Sequence, residues 1–160
     1  MKEGHGRVCG MIVMCLVIIA GFSAPATAKL PEGFRDVKLG MNKDQVLELF
    51  KKNPSHFSYD DRGREICEIV RGDNLFRYAT YRFNKDSQLV EIGLQMREVI
   101  GRDQVIQTFN SKHGLHISPH QKTVEANRSI EINGNGLFLR LEETPDARAA
   151  RESASAHSAR

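Results

Sequence analysis

The stretch Leu39-Gly40-Met41-Asn42-Lys43-Asp44-Gln45-Val46-Leu47-Glu48-Leu49-Phe50 opens a helix. Part of it returns fifty-nine residues later as Arg102-Asp103-Gln104-Val105-Ile106-Gln107-Thr108-Phe109. Asn42 is a good N-cap, Gln45 stands three positions on where a capping box needs it, and Asp44 places negative charge in the first turn. Val46, Leu47, Leu49 and Phe50 make an apolar stripe, with Lys43, Glu48, Lys51 and Lys52 on the wet side. Pro54 ends the helix by pushing the residue before it out of the helical region. In the echo, Gly101 stands where Asn42 stood, Val105, Thr108 and Phe109 repeat the stripe, and Gly114 suits a left-handed C-terminal cap.

Each helix is followed by strand signals. Residues 64–70 form the first run after a polar loop, Asp60-Asp61-Arg62-Gly63, and the turn signal Gly72-Asp73-Asn74 leads into 75–83. There, strict alternation places Leu75, Ala79, Tyr81 and Phe83 on one face and Phe76, Tyr78, Thr80 and Arg82 on the other. Both faces carry apolar residues, so the run reads as a central antiparallel strand. The hairpin turn Asn84-Lys85-Asp86-Ser87 leads to 88–96, where Val90, Ile92, Leu94 and Met96 alternate with Glu91, Gly93 and Gln95. This alternation predicts one covered face and one wet face. After the second helix, 129–133 and 137–141 flank the turn Asn133-Gly134-Asn135-Gly136. The expected fold is α+β: helices packed on one face of an antiparallel sheet, in two helix-then-strands units of about 34–98 and 99–143, the second abbreviated. Residues 29–39 read as an irregular lead-in, broken by Pro31 and Gly33, and 144–160 as a disordered tail.

Before this single domain, spanning 29–143, residues 1–28 have the form of a signal peptide. Lys2 and Arg7 give a positive start, 11–22 an apolar run, and Ala26-Thr27-Ala28 a small-x-small cleavage site. A run of that length is short of the roughly 20 apolar residues that span a bilayer. Cys15 follows Ile12-Val13-Met14 and lacks the small preceding residue of a lipidation site. The expected location is therefore the periplasm or cell envelope, with no stable membrane span after cleavage. Losing Lys2, Arg7 and Glu3 leaves 21 basic and 19 acidic residues, a near balance that argues against a nucleic-acid partner. Cys67 is then the sole cysteine, so no internal disulfide is possible, and about 130 residues suffice for a core without one.

Val37-Lys38-Leu39-Gly40-Met41-Asn42-Lys43-Asp44-Gln45-Val46 and Tyr81-Arg82-Phe83-Asn84-Lys85-Asp86-Ser87-Gln88-Leu89 resemble the small envelope proteins of the SmpA/OmlA (BamE-like) type. They also resemble the related β-lactamase-inhibitor-protein fold. The first matches that family's glycine-methionine-then-cap helix start, the second its aromatic strand, acidic turn and following strand. The resemblance implies a fold, and a tandem of two such units implies a sheet used as a protein-binding surface.

Two candidate sites emerge. Aromatic and arginine side chains are enriched in binding hot spots, so Phe76, Tyr78 and Arg82 mark a protein-binding face, with core packing of the same aromatics as the competing reading. The second is His113, His116 and His120, whose spacing would let a curled loop carry a metal or small ligand. The paired carboxylates Asp60-Asp61 and Glu65/Glu68, and the serines, follow no catalytic pattern, so neither an enzyme nor a cofactor is expected.

Overall fold

The computed structural model describes residues 29–53 and 58–143. The expected leader (1–28), Pro54 and the expected tail (144–160) lie outside the described residues. The elements are β1 (Gly33–Phe34), β2 (Val37–Lys38), α1 (Lys43–Lys52), β3 (Tyr59–Asp61), β4 (Glu65–Ile69), β5 (Phe76–Phe83), β6 (Leu89–Met96), α2 (Arg102–His113), β7 (Lys122–Glu125), β8 (Arg128–Asn133) and β9 (Gly136–Leu141). β1 and β2 form a small separate hairpin. The other seven strands make one antiparallel sheet in the order β3-β4-β5-β6-β9-β8-β7. Each helix thus precedes a meander, of four strands after α1 and three after α2, and the last strands of the two meanders pair. This is the α+β fold expected. No described helix is long and apolar enough to cross a membrane.

The start of α1 explains why its sequence is so specific. Asn42 accepts a bond from the Asp44 amide, and its own amide donates to Gln45 Oε1, both at 2.9 Å. The backbone just before it is stitched to the β5–β6 hairpin. The amides of Gly40 and Lys43 donate to the carbonyls of Leu89 and Ser87, and the Leu89 amide donates to the Met41 carbonyl. Gly40 sits at φ 86, and a Cβ there would meet only the Leu141 side chain at an ordinary contact distance of 3.9 Å, so glycine is needed for conformation and not for room. In the hairpin turn, Asn84 Oδ1 accepts from the amides of Asp86 and Gln88. The two motifs quoted for the family resemblance are therefore two sides of one backbone junction. Asn42→Ala removes the side-chain half of the cap and is expected to cost about 1 kcal/mol in denaturant unfolding.

The core lies on one face of the sheet. Ile66, Tyr81, Ile92, Leu139 and Ile130 stand side by side across five strands in one paired row, and Ala79, Leu94, Leu137 and Ile132 form the next. Val46 and Phe50 of α1, and Val105, Ile106 and Phe109 of α2, pack over them. Phe50 meets the rings of Tyr59 and Tyr81 at centroid distances of 5.0 and 5.4 Å. Glu68 also points into this core, its side chain 0% exposed. It accepts a 2.6 Å bond from the Tyr81 hydroxyl and pairs with Arg35 at 3.2 Å. Burial, reinforced by Glu68, pushes the Tyr81 phenol pKa well up. Arg35 occupies the β1–β2 turn at φ 53 and also donates to the Arg71 carbonyl, so the small hairpin is anchored on β4.

Several expectations are corrected. The lead-in at 29–39 contains the β1–β2 hairpin. The loop at 60–63 overlaps β3, and β7 had no strand expectation at all. Both strands are short and charged because they form the sheet's edges, where charge protects an unpaired backbone from further pairing. Strict alternation fails twice in the β5–β6 pair, where the register shifts between Phe76 and Tyr78 and again between Arg82 and Phe83. The first shift places Phe76 in the core with Ala79 and Tyr81. The second places Leu89, in place of Val90, against the helices. In α2, Ile106 and not Thr108 completes the buried stripe. Thr108 is exposed and donates back to the Gln104 carbonyl at 2.8 Å.

Candidate functional site: the open sheet face

The alternate residues of the same strands build the opposite face, over which no described helix packs. Its central feature is a chain of ion pairs crossing five strands. Arg82 on β5 bonds to Glu65 on β4 at 3.4 Å and to Glu91 on β6 at 2.9 Å. Arg140 on β9 bonds to Glu91 and to Glu131 on β8, both at 2.6 Å. Strand pairing aligns Glu65, Arg82, Glu91 and Arg140 in a single row, so opposite charges are direct cross-strand neighbours. Burial disfavours the Arg140 cation, but its hydrogen bonds to Glu91 and Glu131 outweigh this and hold its pKa above the ordinary value. At the β7 edge, Glu142 accepts from Ser129 and pairs with Lys122 at 2.7 Å.

Beside the ion-pair row runs a depression. Thr80, Gly93 and Phe138 are consecutive cross-strand partners, followed by Gln95 and Gly136 one row along. The ring of Phe138 lies in the space two missing side chains leave. A Cβ at Gly93 would come within 3.2 Å of it, and one at Gly136 within 2.6 Å. Arg140 covers the ring from above at 5.0 Å. The resulting groove, of about 430 Å³, has Arg82 and Glu91 on one wall and Gln95 on the other. A second hollow of about 410 Å³ lies towards β3, where Tyr78 and Ile69 flank Cys67. Ile69 is 49% exposed, an apolar side chain held out to solvent. Burial, with Glu65 nearby, raises the Cys67 pKa, so its thiol stays protonated at neutral pH.

The first set of expected site residues is thereby divided. Tyr78 and Arg82 lie on the open face, Tyr78 under the Arg77 guanidinium at 5.0 Å and Arg82 55% exposed. Phe76 does not. It is 2% exposed and packs edge-on against Phe34 and Phe109. The set is split between core and surface, and the register shift at Phe76 is the reason. Glu65, Glu91, Phe138, Arg140 and Glu131 were missed. Phe138 and Arg140 alternate with Leu137, Leu139 and Leu141, a signal visible in the sequence. Their place beside Arg82 depends on the β6–β9 pairing, which joins residues far apart in the chain.

The histidines are not gathered. His113 ends α2 with its ring packed against Phe109 at 4.4 Å and tilted by 40°, whereas His116 and His120 are exposed in the following loop, His120 at φ 62. Among the described residues no three His, Cys, Asp or Glu side chains stand close enough to hold a metal ion. The alternative metal loop is therefore not assembled, since α2 holds His113 against the core while the loop turns the other two outward. Burial, with Lys112 beside it, lowers the His113 pKa.

These groups set the acid response. Hydrogen bonds from Lys43 to Asp61, and from Lys122 and Ser129 to Glu142, hold both carboxyl pKa values down. A depressed carboxyl pKa gives stability that is present above the unfolded value and is lost as pH falls through the folded one. His113, depressed in the fold, binds its proton more readily when unfolded, so its effect also removes stability on acidification. The melting temperature should be level only between about pH 7 and 8, fall at higher pH where the unfolded chain gives up the Cys67 and Tyr81 protons that the fold retains, decline gently below about 6.5, and fall more steeply below about 4. His113→Gln should abolish the upper acid step in a pH series of thermal melts and keep the lower one.

Comparison of the chain with protein-family models, with curated proteins and with solved structures finds no match.

Proposed function

We propose that the protein is an exported, non-enzymatic protein-binding or envelope-assembly accessory module that engages a protein partner through its open sheet face. The observation that carries this reading is the contrast between the two faces. Both helices pack on one, while the other presents Ile69, Tyr78 and Phe138 beside a row of alternating charges. Mixed aromatic, arginine and paired-charge surfaces are the composition of protein interfaces. Arg82 and Arg140 are already bonded to carboxylates, which favours a partner of mixed charge over a polyanion. The leader at 1–28 supports delivery to the periplasm or envelope, and the resemblance to BamE-like proteins supports an assembly role there.

The double variant Tyr78→Ala/Arg82→Ala tests the reading. Both side chains are partly exposed on a face outside the core, so the variant should fold with a loss of about 1 kcal/mol or less. It should fail to retain the envelope protein that the unaltered protein captures after crosslinking. Unfolding of the variant, or equal capture by both proteins, would reject the proposal.

A further inference from the structure

On the helix side of the sheet, a cavity of about 140 Å³ lies between the β1–β2 hairpin and the last turn of α2. Its apolar lining comes from Phe34, Phe76, Leu94, Phe109 and Leu139. Four of these are 5% exposed or less, so the inner wall is closed by the core itself. Phe76 meets Phe34 at 5.9 Å and 90°, and Phe109 at 6.2 Å and 78°. Edge-to-face rings leave both ring faces and ring edges available to a further aromatic group. An apolar cavity of about 150 Å³ is large enough to take up benzene. The space therefore suits one six-membered ring.

The rim gives the ligand its charge. Arg35, Asp73, Lys112 and His113 surround the opening. The Arg35 guanidinium is bonded to Glu68 and the Arg71 carbonyl. Asp73 Oδ1 accepts the amides of Leu75 and Phe76 at 2.8 and 3.0 Å. His113 packs against Phe109 at a tilt of 40°. Lys112 is exposed and makes no ion pair or hydrogen bond with another described side chain, so its ammonium remains to meet an anion entering the rim.

We propose that this cavity binds a small aromatic monocarboxylate, with its ring among Phe76, Phe109, Leu94 and Leu139 and its carboxylate on the Lys112 ammonium. The site is separate from the open sheet face, so the protein would carry a small ligand on one side of the sheet and a protein on the other. The pattern is that of many small-molecule sites, an apolar enclosure with one polar group that fixes orientation.

Benzoate is the probe. Followed by NMR, it should shift the methyl resonances of Leu94 and Leu139 and the ring resonances of His113 saturably. Acetate at the same concentration, which carries the charge without the ring, should leave the methyls unmoved, and benzene should bind more weakly than benzoate. Lys112→Glu, a change at an exposed position, should weaken benzoate about tenfold or more and leave benzene unaffected. Leu139→Phe, which fills the space, should remove both. Absence of saturable methyl shifts, equal affinity for benzene and benzoate, or unchanged benzoate binding by Lys112→Glu would each overturn the assignment. The last decides the matter even if Leu139→Phe does not fold.

Discussion

Glu68→Ala should lower the unfolding free energy by about 3–5 kcal/mol, the usual cost of breaking a buried ion pair by deleting one member. The side chain is wholly inaccessible, and two different elements depend on it. Tyr81 lies at the centre of the five-strand core row, and its hydroxyl would lose the acceptor 2.6 Å away. Arg35 would lose the buried countercharge that holds the β1–β2 hairpin against β4. Tyr81→Phe, which deletes one hydrogen bond and keeps the ring, should cost less, about 1–3 kcal/mol. Because Arg35 and Glu68 share one interaction, Arg35→Ala with Glu68→Ala should cost less than the sum of the singles. Urea unfolding of the four variants checks this. A loss below about 1 kcal/mol for Glu68→Ala would mean that the cluster contributes little to the fold.

Phe50→Ala should cost a similar amount, about 3–5 kcal/mol. Phe50 is 1% exposed and fills the space between α1 and the sheet, against Tyr59 of β3 and Tyr81 of β5. Its removal leaves a cavity that neither ring can close without leaving its own strand. The short edge strand β3 touches the core through Tyr59, so chemical-shift changes should concentrate there. By contrast, Lys52→Ala on the same helix breaks only an exposed pair with Glu48 and should change stability by less than about 0.5 kcal/mol.

The sequence was most informative where chemistry is local. The Asn42 cap, the Gln45 reciprocal bond and the left-handed Gly114 each follow from a residue type at a fixed offset, and each stands where it was expected. The α+β class followed from alternation and helical spacing. What escaped depends on pairing between distant strands. The register shifts that turn Phe76 inward, and Leu89 in place of Val90, come from how β5 meets β6, and strict period-2 counting cannot register an added residue. The edge strands β3 and β7 were obscured by the charge that suits them to an edge. In the sequence Glu68 stands out only as half of a carboxylate pair with Glu65, since its partners Tyr81 and Arg35 are 13 and 33 residues away. Only half of the open sheet face is legible for the same reason. Tyr78 and Arg82 follow from composition, but Phe138 and Arg140 join them only through the junction of the two meanders.

That junction is central to the functional account, because it turns two modest sheets into one continuous open surface. Its most direct test is site-specific photo-crosslinking in the native cell envelope. A photoreactive amino acid is placed singly at Tyr78, at Phe138, and at the exposed helix position Glu48. The same discrete adduct is expected from Tyr78 and Phe138, which lie on the two strands flanking β6, and none from Glu48. Adducts from Glu48 alone, or no discrete adduct from either sheet position, would contradict the claim that the open face is where this protein meets its partner.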